Sequence, residues 1–131
     1  MTITSNLTGS GIAPTAAANI SGPVNTATSG AGTASTDAAL LPLQATHYIA
    51  TAANNSGVIL PPGNGTGAPM VVGDSMWIYN GDANTLLLYP PPLGQLNGGT
   101  ATTGTVSIPT KTSVQVKMLS ATLYAVSGPT T

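Results

Sequence analysis

Gly73-Asp74-Ser75-Met76-Trp77-Ile78-Tyr79-Asn80-Gly81-Asp82-Ala83-Asn84-Thr85-Leu86-Leu87-Leu88-Tyr89-Pro90 is the stretch on which the reading of the fold turns. Two runs rich in aromatic and aliphatic residues flank the linker Asn80-Gly81-Asp82-Ala83-Asn84. Asn and Gly tolerate the positive φ of a tight reversal, so the pattern predicts a β-hairpin. In the first run Met76 and Ile78 share one face, and Ser75, Trp77 and Tyr79 the other. In the second, Leu86 and Leu88 oppose Leu87 and Tyr89, so both faces are apolar. One face can meet the domain's own core, while the other needs a second layer or another subunit. Trp77, Leu87 and Tyr89 are the residues expected there. Pro90, Pro91 and Pro92 then end the ladder, since proline has no N–H to donate.

Working outward, the composition excludes several functions. The chain has 131 residues, enough for one domain or one domain with an appendage. Lys111 and Lys117 are its only basic residues, and Asp37, Asp74 and Asp82 its only acids. Charged residues make up 4% of the chain, against about 25% in ordinary soluble domains. The surface is therefore solvated by Ser, Thr, Asn and Gln, or much of it is covered by other protein. Two cations cannot neutralise a run of phosphates, so neither nucleic acid nor an anionic membrane surface is an expected partner. No cysteine is present, which removes disulfides and thiolate metal sites. No apolar run approaches the roughly 20 residues of a membrane-spanning helix. Met1-Thr2-Ile3-Thr4-Ser5-Asn6 lacks the basic and apolar regions of a secretory signal, so synthesis in a cytoplasm is expected and nothing in the sequence points to export.

Sixteen Gly and eleven Pro, with no Glu, suppress helix and point to an all-β fold. Residues 1–42 form a low-complexity segment of Thr, Ser, Ala, Gly and Asn. Its aliphatic residues Ile3, Leu7, Ile12, Ile20 and Val24 are too widely spaced for an amphipathic element. A floppy linker and an arm that orders along a partner's grooves both fit it. From residue 43 to 131 short alternating runs recur, including Thr105-Val106-Ser107-Ile108 and Ser113-Val114-Gln115-Val116-Lys117-Met118. About seven or eight such runs, with turn signals between them, predict a small antiparallel β-sandwich, jelly-roll-like, behind an extended N-terminal arm. So small a core makes oligomerisation a plausible source of extra stability.

The inventory for catalysis is poor. Asp74 and Asp82 stand at opposite ends of one predicted strand, roughly 20 Å or more apart at strand rise, too far to act as one acid–base pair. His47 has no second His, Cys or nearby carboxylate in sequence, so a packed or hydrogen-bonded imidazole is favoured over a ligand or base. Neither a G-x-S-x-G elbow nor a phosphate loop occurs, and no cofactor is expected. The N-x-S/T triplets at Asn6, Asn19, Asn54 and Asn64 fit chance in so polar a chain. Trp77 with Tyr79 is either an anchor in a core or interface, or a platform on which a sugar stacks.

A resemblance adds to this reading. Gly73-Asp74-Ser75, Ile78-Tyr79-Asn80-Gly81, Asn84-Thr85, Leu88-Tyr89-Pro90-Pro91, Gly94 and Leu96-Asn97-Gly98 resemble a segment recurring in small tailed-phage virion proteins. The later Ile108-Pro109, Lys111, Ser113-Val114 and Ser120-Ala121-Thr122-Leu123-Tyr124, and the upstream Gly57-Val58-Ile59-Leu60-Pro61, extend the match across residues 45–127. The resemblance implies a head decoration, or cement, protein: a β-sandwich assembling as homotrimers on the major capsid protein at the outer surface of the virion. The same module resembles pieces of head or tail fibres, which keeps a receptor- or glycan-binding fibre module open. Ile3, Leu7, Ile12, Ile20 and Val24 are the expected capsid contacts of the arm. The sparse charge and long neutral arm depart from the pattern.

Overall fold

The computed structural model describes residues 24–25, 30–50, 52–62 and 70–130. Among these there are ten strands and no helix, so the chain is all-β. They are β1 (Val24–Asn25), β2 (Ala39–Leu40), β3 (Thr46–Ile49), β4 (Gly57–Ile59) and β5 (Ser75–Asn80). β6 (Leu86–Tyr89), β7 (Gln95–Leu96), β8 (Val106–Ile108), β9 (Thr112–Met118) and β10 (Leu123–Ser127) follow. They build a six-stranded sheet in the order β1-β3-β5-β9-β10-β7 and a four-stranded sheet in the order β2-β4-β6-β8.

From β1 to β9 the chain changes sheet at every connection. Neighbours among β1, β3 and β5, and among β2, β4, β6 and β8, are therefore two apart in sequence, and the excursion through the other sheet lets all but the β6–β8 pair run parallel. β1, β3 and β5 are parallel, as are β2, β4 and β6. Among the described strands antiparallel pairing is confined to β5 with β9, β9 with β10, and β6 with β8. Both sheets are mixed, which corrects the antiparallel expectation.

The hairpin expectation is corrected as well. β5 lies in the six-stranded sheet and β6 in the four-stranded one, so Asn80–Asn84 is an arch between sheets. Neither Asn80 nor Gly81 adopts a positive φ; Gly73, Leu93, Asn97, Gly98 and Lys111 are among the residues that do. The linker is held by side chains instead. Asn80 donates to the carbonyls of Asn84 at 2.8 Å, Ile108 at 3.0 Å and Pro109 at 3.2 Å, and accepts from the Asp82 amide at 3.1 Å. Asp82 accepts from the amides of Ala83 at 2.7 Å and Asn84 at 3.0 Å, while Asn84 donates to the Ala52 carbonyl at 2.9 Å. The Lys111 ammonium donates to the Gly81 carbonyl, and the Thr110 hydroxyl to that of Asp82.

Alternation sorts each strand into buried and outward residues. Met76, Ile78, Val114, Val116, Met118, Tyr124 and Val126 of the larger sheet join Val58, Leu86, Leu88 and Ile108 of the smaller in one hydrophobic cluster. Each fully buried aliphatic side chain in it contributes about 1.5–3 kcal/mol. Within the stretch read as the arm, Leu41 belongs to this cluster, β2 pairs with β4, and Ala31 bridges Gly57. Ile3, Leu7, Ile12 and Ile20 lie outside the described residues. Val24 is paired with Thr46 through β1.

Candidate binding surface

Asp74, Asn80, Asn84, Asn97 and Ser120 hold main chain in place. The Asp74 carboxylate accepts from the Val71 amide at 2.9 Å and closes the turn that Gly73 makes at φ 99°. Asn97 sits at φ 50°. Its side chain accepts from the Val126 amide at 2.8 Å and donates to the Val126 carbonyl at 3.2 Å, in the manner of an extra strand residue. The Ser120 hydroxyl accepts from the Leu123 amide at 3.1 Å and so shapes the last turn. With Asn80 and Asn84 in the arch, these five side chains all serve the backbone.

The carboxylates are equally committed to structure. Hydrogen bonds from the main chain at Ala52, then Asn84, hold the Asp82 carboxyl below the usual range. Asp74 and Asp82 bracket β5, one before its start and one beyond its end. His47 is fully buried on β3; burial lowers its pKa, partly offset by a hydrogen bond with the Gln44 main chain. Among the described residues no three His, Cys, Asp or Glu side chains gather where they could hold a metal.

Trp77, Leu87 and Tyr89 do not form one surface. Leu87 and Tyr89 lie on β6 of the four-stranded sheet, Trp77 on β5 of the six-stranded one. Tyr89, expected at a subunit interface, is 4% exposed. The second layer over it comes from its own chain: its hydroxyl donates to the Thr33 carbonyl at 2.8 Å. Beneath, its ring lies where a Cβ on Gly57 would come within 2.5 Å. Burial, and then the negative charge of Asp37, raise the pKa of the Tyr89 phenol.

Trp77 stands free, 48% exposed on the outer face of the six-stranded sheet. Register places Thr46 directly beside it on β3 and Gln115 on β9. Tyr79 is the next outward residue of the same strand, and Tyr48 of β3 pairs with it. The two tyrosine rings stack with centroids 5.6 Å apart and planes 17° from parallel. Gly81 makes this possible, because a Cβ there would meet the Tyr48 ring and hydroxyl at 2.8 Å. Lys117 supplies the charge on this face, opposite Ser75. The sequence pointed to Trp77 and Tyr79; Tyr48 was missed because the β3–β5 pairing is parallel and skips a strand.

A second exposed group is aliphatic. Val71 is 51% exposed, Val72 56% and Leu119 48%. Their turns are tied together where Gly73 donates to the Met118 carbonyl at 2.9 Å and Met118 to that of Asp74 at 3.0 Å. This group lies at the end of β5 and β9 away from the arch. No protein-family model, curated protein or solved structure matches the chain.

Proposed function

We propose that the chain is a non-enzymatic structural protein of a tailed-phage virion, a cement subunit that decorates the capsid exterior as a homotrimer. The observation that carries this reading is the use made of the motif residues. Asp74, Asn80, Asn84, Asn97 and Ser120 all bond to main chain, as residues of a recurring structural module would. In the same reading the two sheets, which share one hydrophobic cluster, are the layers of a sandwich.

The aliphatic group at Val71, Val72 and Leu119 is the proposed contact between subunits, since it gathers three exposed aliphatic side chains at one end of the sheet. The arm reaches from the folded body to the major capsid protein, with Ile3, Leu7, Ile12 and Ile20 as its contacts, while Val24 is held in β1. A subunit that binds only the assembled shell shifts the equilibrium toward that shell. Three arms on one trimer raise each other's effective concentration at the lattice.

Sedimentation equilibrium of the free protein and co-sedimentation with expanded capsids test this. The expected results are a trimer, capsid binding that persists in salt strong enough to screen exposed charges, and a monomer on Val72→Ser with Leu119→Ser. A folded wild-type monomer that leaves capsids undecorated overturns the proposal.

A further inference from the structure

We infer that the outer face of the six-stranded sheet is a binding site for neutral carbohydrate, centred on Trp77. It stands apart from capsid binding and does not depend on it. A pyranose presents one apolar face of C–H groups and a rim of hydroxyls. It therefore needs an exposed ring to lie on and uncharged groups that both donate and accept at the rim. Trp77 supplies the ring, half exposed on a sheet whose regular spacing keeps it in place. Thr46 and Gln115 sit on the two strands beside it, each about 4.8 Å away across the ladder. The hydroxyl of one and the amide of the other offer a donor and an acceptor apiece.

The surroundings of Trp77 favour sugar over a protein partner. A protein interface buries aliphatic side chains around its aromatic anchor. Here the residues next to Trp77 are Thr46, Gln115, Ser75 and Tyr79, with no aliphatic among them. Of the exposed aliphatics, Val71, Val72 and Leu119 are gathered at the end of the sheet, and Leu40, Leu43 and Leu93 belong to other segments. The Tyr48–Tyr79 stack continues the aromatic surface toward the arch, about 6.6 Å along the strand from Trp77. That spacing suits successive residues of a chain of sugars. The four residues beside Trp77 carry no charge, so the ring's surroundings offer hydrogen bonds and no ion pair; Lys117 lies two positions further along β9 than Gln115, opposite Ser75.

Trp77 is the only tryptophan in the chain, so its emission reports on this face alone. The full-length protein is titrated with neutral hexasaccharides of glucose, of N-acetylglucosamine and of mannose. A saturable change in emission with at least one of them is expected. Gln115→Ala should weaken that binding about tenfold, the loss of one hydrogen bond, while Lys117→Gln changes it by less than about twofold. Calorimetry on Trp77→Ala should show binding lost with the fold and capsid decoration intact, which separates this site from the cement role. No saturable response to any of the three sugars overturns the inference. So does conversion of an oligomer to a monomer by Trp77→Ala, which would make the face a subunit contact.

Discussion

Asn80 donates its side-chain amide to the carbonyl of Ile108 at 3.0 Å from a position with no exposed surface. Asn80 ends β5 and Ile108 ends β8, so this bond and its companions pin the six-stranded sheet to the four-stranded one at the arch. Asn80→Leu would leave the buried Ile108 carbonyl without this donor and remove a partner from the part-buried Asn84 and Pro109 carbonyls and the Asp82 amide. A loss of about 2–4 kcal/mol is expected, from the desolvation cost of buried polar groups left unpaired. Urea unfolding should show it as a lower midpoint with the slope unchanged. Asn84→Ala, which keeps the buried Asn80 amide, should cost less.

His47 gives the fold a pH dependence whose sign is set by burial. Its folded pKa lies below the unfolded value of 6.5, because burial disfavours the imidazolium. The unfolded chain therefore takes up the proton first as pH falls. Stability should be flat above pH 6.5 and decline below it, until the folded state titrates too. Thermal melts of wild type and His47→Leu across that window check this, and the variant should lack the decline. Asp82 acts in a separate and more acidic window. Its folded pKa is depressed below 3.8, so its contribution is present above that value and is lost as pH falls through the folded pKa.

How far the chain could be read from its residues is clearest at this arch. Alternation in β5 and β9 sorted Met76, Ile78, Val114 and Val116 inward, and burial agrees. Period-two patterning is local, so it survives any topology. Which strands pair is decided by contacts far apart in the chain, and there the Asn-Gly pair misled. Its hairpin signal depends on positive φ, whereas here Asn80 serves through its side chain to Ile108, twenty-eight positions away. The apolar outer face of β6 was legible, but its cover was not. Nothing in the polar run around Thr33 announces that its carbonyl meets the Tyr89 hydroxyl.

Gly57 and Tyr89 form a matched pair that a substitution should expose. A Cβ at Gly57 falls 2.5 Å from the Tyr89 ring and 3.2 Å from the Leu87 carbonyl. Gly57→Ala should therefore cost about 1–3 kcal/mol, the usual penalty of overpacking. Tyr89→Leu removes the far part of the ring, so Gly57→Ala should cost markedly less in that background. A double-mutant cycle on chemical unfolding measures the coupling.

Leu93 should respond in the opposite direction. It holds φ 67° while 73% of its surface is exposed. The left-handed region costs a residue with a Cβ about 1–2 kcal/mol, and little packing offsets it here. Leu93→Gly relieves the strain but adds freedom to the unfolded chain, leaving an expected gain of about 0.5–1 kcal/mol. Its amide still donates to the Thr102 hydroxyl, which needs no side chain at this position. A higher melting temperature checks it.

Two truncations separate the folded body from the arm. A chain starting at Val24 keeps β1 with its partner β3, the Thr33 carbonyl over Tyr89, and Leu41 in the core. It should unfold cooperatively near the wild-type midpoint while losing capsid decoration, since it lacks Ile3, Leu7, Ile12 and Ile20. A chain starting at Leu43 loses β2 and leaves a void where Leu41 was 1% exposed. The void alone is worth about 2–5 kcal/mol by analogy with Leu→Ala in a core, and the uncovered Tyr89 adds apolar surface to water. That protein should melt far lower or fail to fold. Leu41→Ala in the full chain supplies the control: a large loss of stability with capsid binding retained below the melt would place the gripping residues upstream of Val24. If the chain beginning at Val24 still decorates capsids fully, the arm is not what holds the lattice.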